Sequence, residues 1–124
     1  MSVEQGRLIC LVEDDDAVRA SAKLLLEAVG YVVRDHSSAE SLLEDGSAAH
    51  AACFLLDFQL GGVTGLELLE RLRARGIQAP AIIVTAKANL VDERYKRANV
   101  LAVLRKPVPA ADLLDWIDKA CSRL

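Results

Sequence analysis

Two patterns of apolar and polar residues alternate along this chain: short apolar runs, and longer stretches with apolar residues at helical spacing. The apolar runs occupy 8–12, 31–33, 53–56, 81–85 and 100–104. Unbroken runs of this kind, bounded by turn residues, are typical of strands that are buried on both faces of a parallel sheet. The middle run leads directly into Asp57. The pattern therefore predicts a central strand with a single carboxylate at its end.

The stretches between these runs have the spacing and the end signals of helices. The first predicted helix stops at Gly30 and carries apolar residues three or four positions apart: Val18, Ala22, Leu25, Leu26 and Val29. Two helices are predicted to begin at capping boxes, namely Ser37 with Glu40 and Thr64 with Glu67. A weaker helical pattern covers 89–98, with the large apolar residues Leu90, Val91 and Tyr95. The last helix places four apolar residues on one face: Leu113, Ile117, Ala120 and Leu124.

This alternation predicts an α/β fold, with a five-stranded parallel sheet flanked by five helices. Right-handed crossovers leave few topologies, and the flavodoxin-like strand order 2-1-3-4-5 brings the ends of the first and third strands side by side. The second strand turns polar at Arg34-Asp35, as suits a sheet edge. We expect a single domain spanning residues 1–124.

Composition narrows the function classes. The chain is 52% hydrophobic and 27% charged, with a net charge of −3, so nothing indicates general attraction to nucleic acid or membranes. No apolar run approaches the roughly 18 residues that span a bilayer, and residues 1–5 lack the features of a secretory signal. The three cysteines, an odd number without metal-type spacing, are interpreted as free thiols in a reducing cytosol. We therefore expect a cytoplasmic protein.

Chemistry-bearing side chains follow four of the five predicted strands. Glu13 and Asp14 come after the first strand and Asp57 after the third, so this topology crowds three carboxylates together. Such crowding is relieved by a cation, and oxygen ligands with open positions suit Mg²⁺. Thr85 ends the fourth strand and Lys106 follows the fifth. A nucleophilic carboxylate beside a metal, a hydroxyl and an ammonium predicts a site for phosphoryl transfer.

With these residues in place, the chain resembles the receiver domain of two-component response regulators over almost its whole length. Five motifs in order carry the resemblance: Val12-Glu13-Asp14-Asp15, Leu56-Asp57, Thr64-Gly65-Leu66-Glu67-Leu68, Val84-Thr85-Ala86 and Lys106-Pro107. The resemblance implies a signalling domain rather than an enzyme, whose chemistry is phosphotransfer and dephosphorylation on its own aspartate. The implied partner is a histidine kinase or a histidine phosphotransfer protein.

The resemblance also implies a role for each site residue. Asp57 would accept the phosphoryl group, and Mg²⁺ would be held by Asp57, by Asp14 directly and by Glu13 through water. The backbone carbonyl of Gln59 would complete the protein ligands. Thr85 and Lys106 would contact the phosphoryl oxygens, and the peptide bond between Lys106 and Pro107 would be cis, which is least costly before proline. A surface formed by the fourth helix, fifth strand and fifth helix is a candidate for homodimerisation.

Four residues depart from the family's usual pattern. Val103 stands three positions before the lysine, where an aromatic switch residue is usual. Gly61 replaces a common proline, Asn99 replaces a common glycine, and Glu13 stands where aspartate is commoner. Asparagine tolerates the left-handed backbone better than most residues. None of the four departures removes a group that phosphotransfer needs.

Three alternative functions would need other residues or leave Asp57 without a phosphoryl group. A flavodoxin-like electron carrier would need a phosphate-cradling loop where 13–16 is acidic. A phosphatase with an aspartate nucleophile would need a second acid at Gln59. A pseudo-receiver that binds partners without phosphorylation is the main rival, because of Val103. The chain is either a stand-alone receiver or the receiver of a longer regulator, and we expect no direct contact with nucleic acid or membranes.

The remaining polar and aromatic residues are interpreted structurally. His36 and His50 are predicted to lie at the surface without acidic partners. Cys10 and Cys53, on neighbouring strands, are predicted to be small core residues and not a redox pair. Trp116 flanks the apolar face of the last helix, where it is either a partial core residue or an exposed anchor for a partner.

Overall fold

The computed structural model of the chain describes residues 6–87 and 93–122. Along the described residues, the elements are β1 (Leu8–Val12), α1 (Asp16–Ala28), β2 (Val32–His36), α2 (Ala39–Leu43), a 3₁₀ helix (Gly46–His50), β3 (Cys53–Asp57), α3 (Gly65–Ala74), β4 (Ala81–Thr85), α4 (Glu93–Arg97), β5 (Val100–Arg105) and α5 (Ala110–Cys121). All strand pairs are parallel, in the order β2-β1-β3-β4-β5. The predicted fold class, strand order and edge position of the second strand are confirmed.

Each face of the sheet carries its own apolar core, because successive residues of a strand point to opposite faces. The α3-side cluster lies under α2, α3 and α4 and includes Cys10, Val12, Phe54, Leu56, Leu69, Leu72 and Ile83. The α5-side cluster lies under α1 and α5 and includes Ile9, Leu11, Leu26, Cys53, Leu55, Leu113, Ile117 and Cys121. The central strand β3 is buried along its whole length, as its unbroken apolar run predicted.

The helix α3 begins at the predicted capping box and lies close to the end of β3. The hydroxyl of Thr64 accepts a hydrogen bond from the amide of Glu67 at 3.0 Å, and the Glu67 carboxylate accepts one from the Thr64 amide at 2.8 Å. The next residue, Gly65, packs so tightly that a Cβ atom there would lie 2.5 Å from the carbonyl oxygen of Asp57. A residue without a side chain is therefore required at this contact.

The predicted capping box of α2 is wrong by one residue. Ser38, not Ser37, is the N-cap, and its hydroxyl accepts a hydrogen bond from the amide of Ser41 at 3.2 Å. Starting the helix after Ser38 turns Ala39 and Leu42 into the core, where they are 1% and 0% exposed. Burial of the apolar face therefore decided the register between two adjacent serines.

The second strand is longer and more polar than the 31–33 run predicted, since it extends from Val32 to His36. Tyr31 precedes it, and its amide bonds to the Leu26 carbonyl at the exit of α1. An edge strand keeps one side open to solvent, so Arg34 and Asp35 are tolerated within it. Burial along the strand does not alternate strictly, since Val33 and His36, three positions apart, are the two buried residues.

Several finer predictions for the helices and turns have mixed outcomes. The stop at Gly30 is confirmed by its φ of 103°, and the left-handed backbone that Asn99 was expected to tolerate is present, with φ of 60°. Val18 and Val29, predicted on the apolar stripe of α1, are 43% and 42% exposed. Tyr95 is buried in α4, whereas three residues assigned to predicted helices lie outside the described residues: Leu90, Val91 and Leu124.

Candidate functional site

The parallel register brings the polar strand ends together at one edge of the sheet. Val12 of β1 pairs with Leu56 of β3, so Glu13 and Asp57, which follow them, leave the sheet side by side. Thr85 pairs with Arg105 in the β4–β5 register, which places Lys106 next to the end of β4. The polar residues at the carboxyl ends of β1, β3, β4 and β5 therefore face one cleft.

Three carboxylates meet in this cleft. One carboxylate oxygen from each of Glu13, Asp14 and Asp57 lies within 4.8 Å of the others. Glu13 and Asp57 are buried, at 5% and 8% exposure, whereas Asp14 is exposed. Oxygen donors grouped at this separation, with one side open to solvent, suit a hard divalent cation that keeps bound water.

The ammonium of Lys106 bridges two of these acids. Its Nζ donates to Glu13 Oε1 at 2.9 Å and to Asp57 Oδ2 at 3.1 Å. Burial alone would lower the pKa of Lys106, but the hydrogen bonds to Glu13 and Asp57 outweigh it, so the pKa lies above its usual value. The backbone holds Lys106 beside β4, because its amide donates to the Thr85 carbonyl at 2.7 Å. The Lys106-Pro107 peptide bond is cis, as expected. Lys106 is thus a fixed, charged neighbour of Asp57.

Thr85 and Gln59 lie beside this group. Thr85 is 3% exposed, and its hydroxyl accepts a hydrogen bond from the Lys87 amide at 3.3 Å. The Gln59 amide donates to Asp57 Oδ1 at 3.3 Å, and Gln59 forms a bridge with Thr64 that closes the loop after β3. Both oxygens of Asp57 therefore have donors, one from Gln59 and one from Lys106.

The acidic residues after β1 have two roles: one caps α1, and others face the cleft. Asp15 is the N-cap of α1 and accepts a hydrogen bond from the Val18 amide at 3.0 Å, while its own amide donates to Glu13 Oε2 at 3.1 Å. Asp15 therefore caps α1, whereas Asp14 joins the carboxylate group. Sequence reasoning missed Arg19, which donates to the Glu13 carbonyl at 2.8 Å. Its only sequence signal was the spacing Asp16–Arg19, a pair that the structure joins at 2.6 Å.

A cavity of about 540 Å³ adjoins the acids on the side of α1 and α5. Its walls are mainly apolar and include Val18, Ala22 and Leu113, and Glu13, Asp57 and Lys106 lie at one end. The cleft is therefore accessible from the α1 side of the molecule.

The prediction that His36 lies at the surface without an acidic partner is wrong. His36 is 8% exposed, its Nε2 lies 3.0 Å from Asp45 Oδ2, and its Nδ1 lies 2.6 Å from the Ser41 hydroxyl. The turn after α2 folds Asp45 back over the end of β2. No local sequence pattern predicts this contact. His50 is exposed, as predicted.

The cysteines and the tryptophan are core residues to different degrees. All three cysteines are buried and free, and Cys10 and Cys53 lie in clusters on opposite faces of the sheet. They are therefore not a redox pair, as predicted. Trp116 is half-buried against the α5-side cluster, and the Lys119 ammonium lies 4.7 Å from its ring centre.

In the part of the chain that the structure describes, no helix has the length and apolarity needed to cross a membrane.

Comparisons with known proteins match this architecture. Transcriptional regulatory protein FixJ of Azorhizobium caulinodans is 36% identical over 105 residues, which cover 85% of this chain and 46% of FixJ. Response regulator protein TmoT of Ectopseudomonas mendocina is 28% identical over 118 residues, covering 94% of this chain and 54% of TmoT. This chain thus spans about half the length of the curated relatives it matches. We expected no direct contact with nucleic acid. Because FixJ is named as a transcriptional regulator, the comparisons do not support that expectation.

Solved structures agree with the sequence relatives. A CheY-like response regulator receiver domain protein from Methanospirillum hungatei superposes with a TM-score of 0.80 and 31% identity, covering 93% of each chain. The response regulator protein TrrA of Thermotoga maritima, solved in complex with Mg²⁺-BeF, has the same fold at a TM-score of 0.80 and 22% identity, covering 92% of this chain and 98% of TrrA. The family model for the response regulator receiver domain matches residues 9–118. The chain therefore belongs to the response regulator receiver domain family.

Proposed function

We propose that this chain is a Mg²⁺-dependent phosphoacceptor switch in which Asp57 receives a phosphoryl group from a histidine kinase or a histidine phosphotransfer protein. One observation carries the proposal: a buried aspartate at the end of the central strand lies against two further carboxylates and one ammonium. The carboxylate oxygens lie within 4.8 Å of one another, and Lys106 lies 3.1 Å from Asp57. Membership of the receiver family supports the same role.

The donor set fits Mg²⁺. Carboxylate oxygens from Glu13, Asp14 and Asp57 are hard ligands, and the exposed side of Asp14 leaves room for bound water. We assign the backbone carbonyl of Gln59 as a further ligand. When bound, the ion would supply positive charge that offsets charge on the transferring phosphoryl oxygens. The fold accommodates such a group in TrrA, which was solved with Mg²⁺-BeF.

The phosphotransfer step needs a nucleophile, a leaving group and charge stabilisation. An oxygen of the Asp57 carboxylate forms the new bond to phosphorus while the bond from phosphorus to the partner's histidine nitrogen breaks, and that nitrogen keeps the electron pair. Lys106 is already within hydrogen-bonding distance of Asp57, so its ammonium needs little movement to neutralise the phosphoryl oxygens. Asp57 itself carries the bond, which makes the domain a signalling component.

Phosphorylation adds a charge of about −1.5 to −2 at the cleft. We propose that Thr85 then turns its hydroxyl from the Lys87 amide toward the phosphoryl group. Movement at the end of β4 would shift the surface formed by α4, β5 and α5 between two populations. Val103 packs partly buried against the α3-side cluster, so this response would proceed without an aromatic switch residue. The same surface is our candidate for homodimerisation.

The main alternative is a pseudo-receiver that binds partners in a single state, which the aliphatic Val103 favours. A pseudo-receiver would have the same fold, but its Asp57 would not be phosphorylated. We also propose that residues 1–124 form one domain and that it works in the cytoplasm, where phosphohistidine donors act. The location in the cytoplasm follows from the proposed function.

The test is phosphorylation of the purified chain by acetyl phosphate with Mg²⁺, followed by intact mass spectrometry. We expect the mass of one phosphoryl group in the wild type and none after chelation of Mg²⁺. Asp57→Asn should abolish labelling and keep the fold. Labelling that persists in Asp57→Asn would reject Asp57 as acceptor, and no labelling of the folded wild type would favour the pseudo-receiver.

The metal role is tested separately by a Mg²⁺ titration of Asp14→Ala. We expect weaker binding and, without metal, a higher urea midpoint, because removing one of three crowded carboxylates relieves repulsion. Asp16→Ala is the matched control, since Asp16 lies in the same acidic segment but its side chain is 88% exposed and pairs with Arg19. Equal Mg²⁺ affinity in the two variants would contradict the assignment of Asp14.

A further inference from the structure

Arg19, near the start of α1, joins three parts of the chain beside the carboxylate cluster. Its Nη1 donates to the backbone carbonyl of Glu13 at 2.8 Å, its Nε to Asp35 Oδ2 at 3.3 Å and its Nη2 to Asp16 Oδ1 at 2.6 Å. The Arg19 side chain is 17% exposed. Each of the three guanidinium nitrogens therefore has its own acceptor, and none of these acceptors is an atom to which we assign Mg²⁺ or the phosphoryl group.

Asp35 anchors the guanidinium on the neighbouring strand. It lies on β2, level with Leu11 of β1, and Lys23, one turn further along α1, donates to its other carboxylate oxygen at 3.1 Å. Burial alone would raise the pKa of Asp35, but the hydrogen bonds from Lys23 and Arg19 outweigh it, so the pKa lies below its usual value. Asp35 is therefore ionised at neutral pH and holds Arg19 against the end of the sheet.

The contact with Asp16 contributes less to the placement of the guanidinium. The Asp16 carboxylate is 88% exposed, so water competes for it and salt screens the ion pair. The contacts that fix Arg19 are therefore those with Asp35 and with the Glu13 carbonyl.

The hydrogen bond to the Glu13 carbonyl reaches the segment that carries two of the three clustered acids. The carbonyl of Glu13 and the amide of Asp14 belong to one planar peptide unit, so a donor that fixes the carbonyl also fixes the start of Asp14. On its other side, the Glu13 amide donates to the His36 carbonyl at 3.0 Å. Asp14 is exposed, so the position of its carboxylate depends more on this backbone than on surrounding side chains. Arg19 therefore holds the peptide from which Asp14 projects.

We propose that Arg19 is a positioning residue of the Mg²⁺ site, which holds the Glu13–Asp14 peptide so that both carboxylates stay grouped with that of Asp57. This inference rests on the proposed function, because it concerns the same metal site. Replacing groups that orient metal ligands typically costs about 10- to 100-fold in metal affinity. A guanidinium suits the role, since its planar fork presents donors in several directions, whereas a lysine ammonium presents its donors from one point.

Charge and position have opposite effects on Mg²⁺ binding at this residue, so they can be separated. A positive charge near the carboxylate cluster opposes the binding of a cation, and removing that charge would by itself tighten binding. Arg19→Lys keeps the charge and changes the geometry of the donors, and arginine and lysine have similar helix propensities. Weaker Mg²⁺ binding in Arg19→Lys would therefore come from the lost positioning of the peptide.

The experiment is a calorimetric Mg²⁺ titration of the full chain, in which Arg19→Lys is compared with Lys23→Arg. The two variants exchange the same two side chains on the same helix at constant charge. Both alter a contact with Asp35, but Arg19 also reaches the Glu13 carbonyl. We expect Arg19→Lys to weaken Mg²⁺ binding about 10-fold and Lys23→Arg to bind Mg²⁺ as the wild type does. Equal affinity in Arg19→Lys and the wild type would overturn the proposal.

A second measurement is made on the metal-free protein. The Asp15 amide donates to Glu13 Oε2 at 3.1 Å, so its hydrogen exchange, measured by NMR, reports on the placement of Glu13. The amide of Leu55, in the middle of β3, reports on opening of the whole fold. We expect Arg19→Lys to speed exchange at Asp15 far more than at Leu55. Equal increases at both amides would reduce Arg19 to a contact that only stabilises the fold, and would contradict the positioning role.

Acetyl phosphate labelling separates this inference from the proposed function. Arg19→Lys should be labelled more slowly than the wild type at limiting Mg²⁺ and at the wild-type rate at saturating Mg²⁺, because Asp57 and Lys106 are unchanged. If Mg²⁺ binding depends on Arg19 but the wild type is not labelled, the phosphoacceptor function is wrong and the positioning role stands. If the wild type is labelled and Arg19→Lys needs no more Mg²⁺ than it does, the positioning role alone is wrong. A wild type that binds no Mg²⁺ would overturn both.

Discussion

Replacing Gly65 by alanine tests how closely α3 must approach the strand that carries Asp57. A Cβ atom at position 65 would lie 2.5 Å from the Asp57 carbonyl oxygen and 3.4 Å from the Leu56 Cβ. Ordinary contacts begin at 3.4 Å, so helix and strand must separate by roughly 0.9 Å, in an interior too densely packed to absorb such a shift freely. The obstacle is backbone, which no rotamer change can move aside.

The expected change in the free energy of unfolding of Gly65→Ala follows from two opposing effects. Overpacking of this kind costs about 1–3 kcal/mol, while any replacement of glycine by alanine at a compatible backbone stabilises by about 0.4–1 kcal/mol through the unfolded state. Gly46 provides the matched control, because it also begins a helical segment and a Cβ there would have no neighbour within 4 Å. The unfolded-state effect cancels between the variants, so Gly65→Ala should be about 1–3 kcal/mol less stable than Gly46→Ala.

The assay is urea unfolding followed by circular dichroism and by fluorescence of Trp116, the only tryptophan in the chain. Because the contact is made with the Asp57 carbonyl, Gly65→Ala should also reduce acetyl phosphate labelling, and Gly46→Ala should not. An unfolding midpoint for Gly65→Ala equal to or above that of Gly46→Ala would refute the close-contact argument.

Three further predictions concern the core, acid stability and the metal. Phe54→Ala, at a fully buried position, should lower the free energy of unfolding by about 3–5 kcal/mol in urea titrations. Hydrogen bonds from Ser47 lower the pKa of Asp45 in the folded protein. The ionised Asp45 therefore stabilises the fold at pH values above an ordinary aspartate pKa of about 3.9, and this contribution is lost as the pH falls below that value. The difference in unfolding free energy between the wild type and Asp45→Asn should shrink on acidification. Lys106→Met should tighten Mg²⁺ binding in calorimetry, since the ammonium that now neutralises Glu13 is gone; unchanged affinity would contradict this competition.

Local pattern was enough to predict most of the fold. Strands buried on both faces leave unbroken apolar runs, and β3 and β4 lie where those runs lie. The capping box at Thr64 is a contact between near neighbours, so sequence spacing alone reveals it. The carboxylate cluster was predictable as well, because a parallel sheet with this strand order brings the ends of β1 and β3 together whatever the details of packing.

Other features were decided only by tertiary structure. His36 meets Asp45 because the turn after α2 folds back over β2, and Cys53 and Cys121 share the α5-side cluster because α5 packs against β3. Arg19 reaches the Glu13 carbonyl only once α1 lies against the end of its strand. Hydrophobic periodicity states which face of an element is buried, but it does not state which polar or thiol groups of two elements touch. That depends on the relative placement of whole elements, which only the packed core determines.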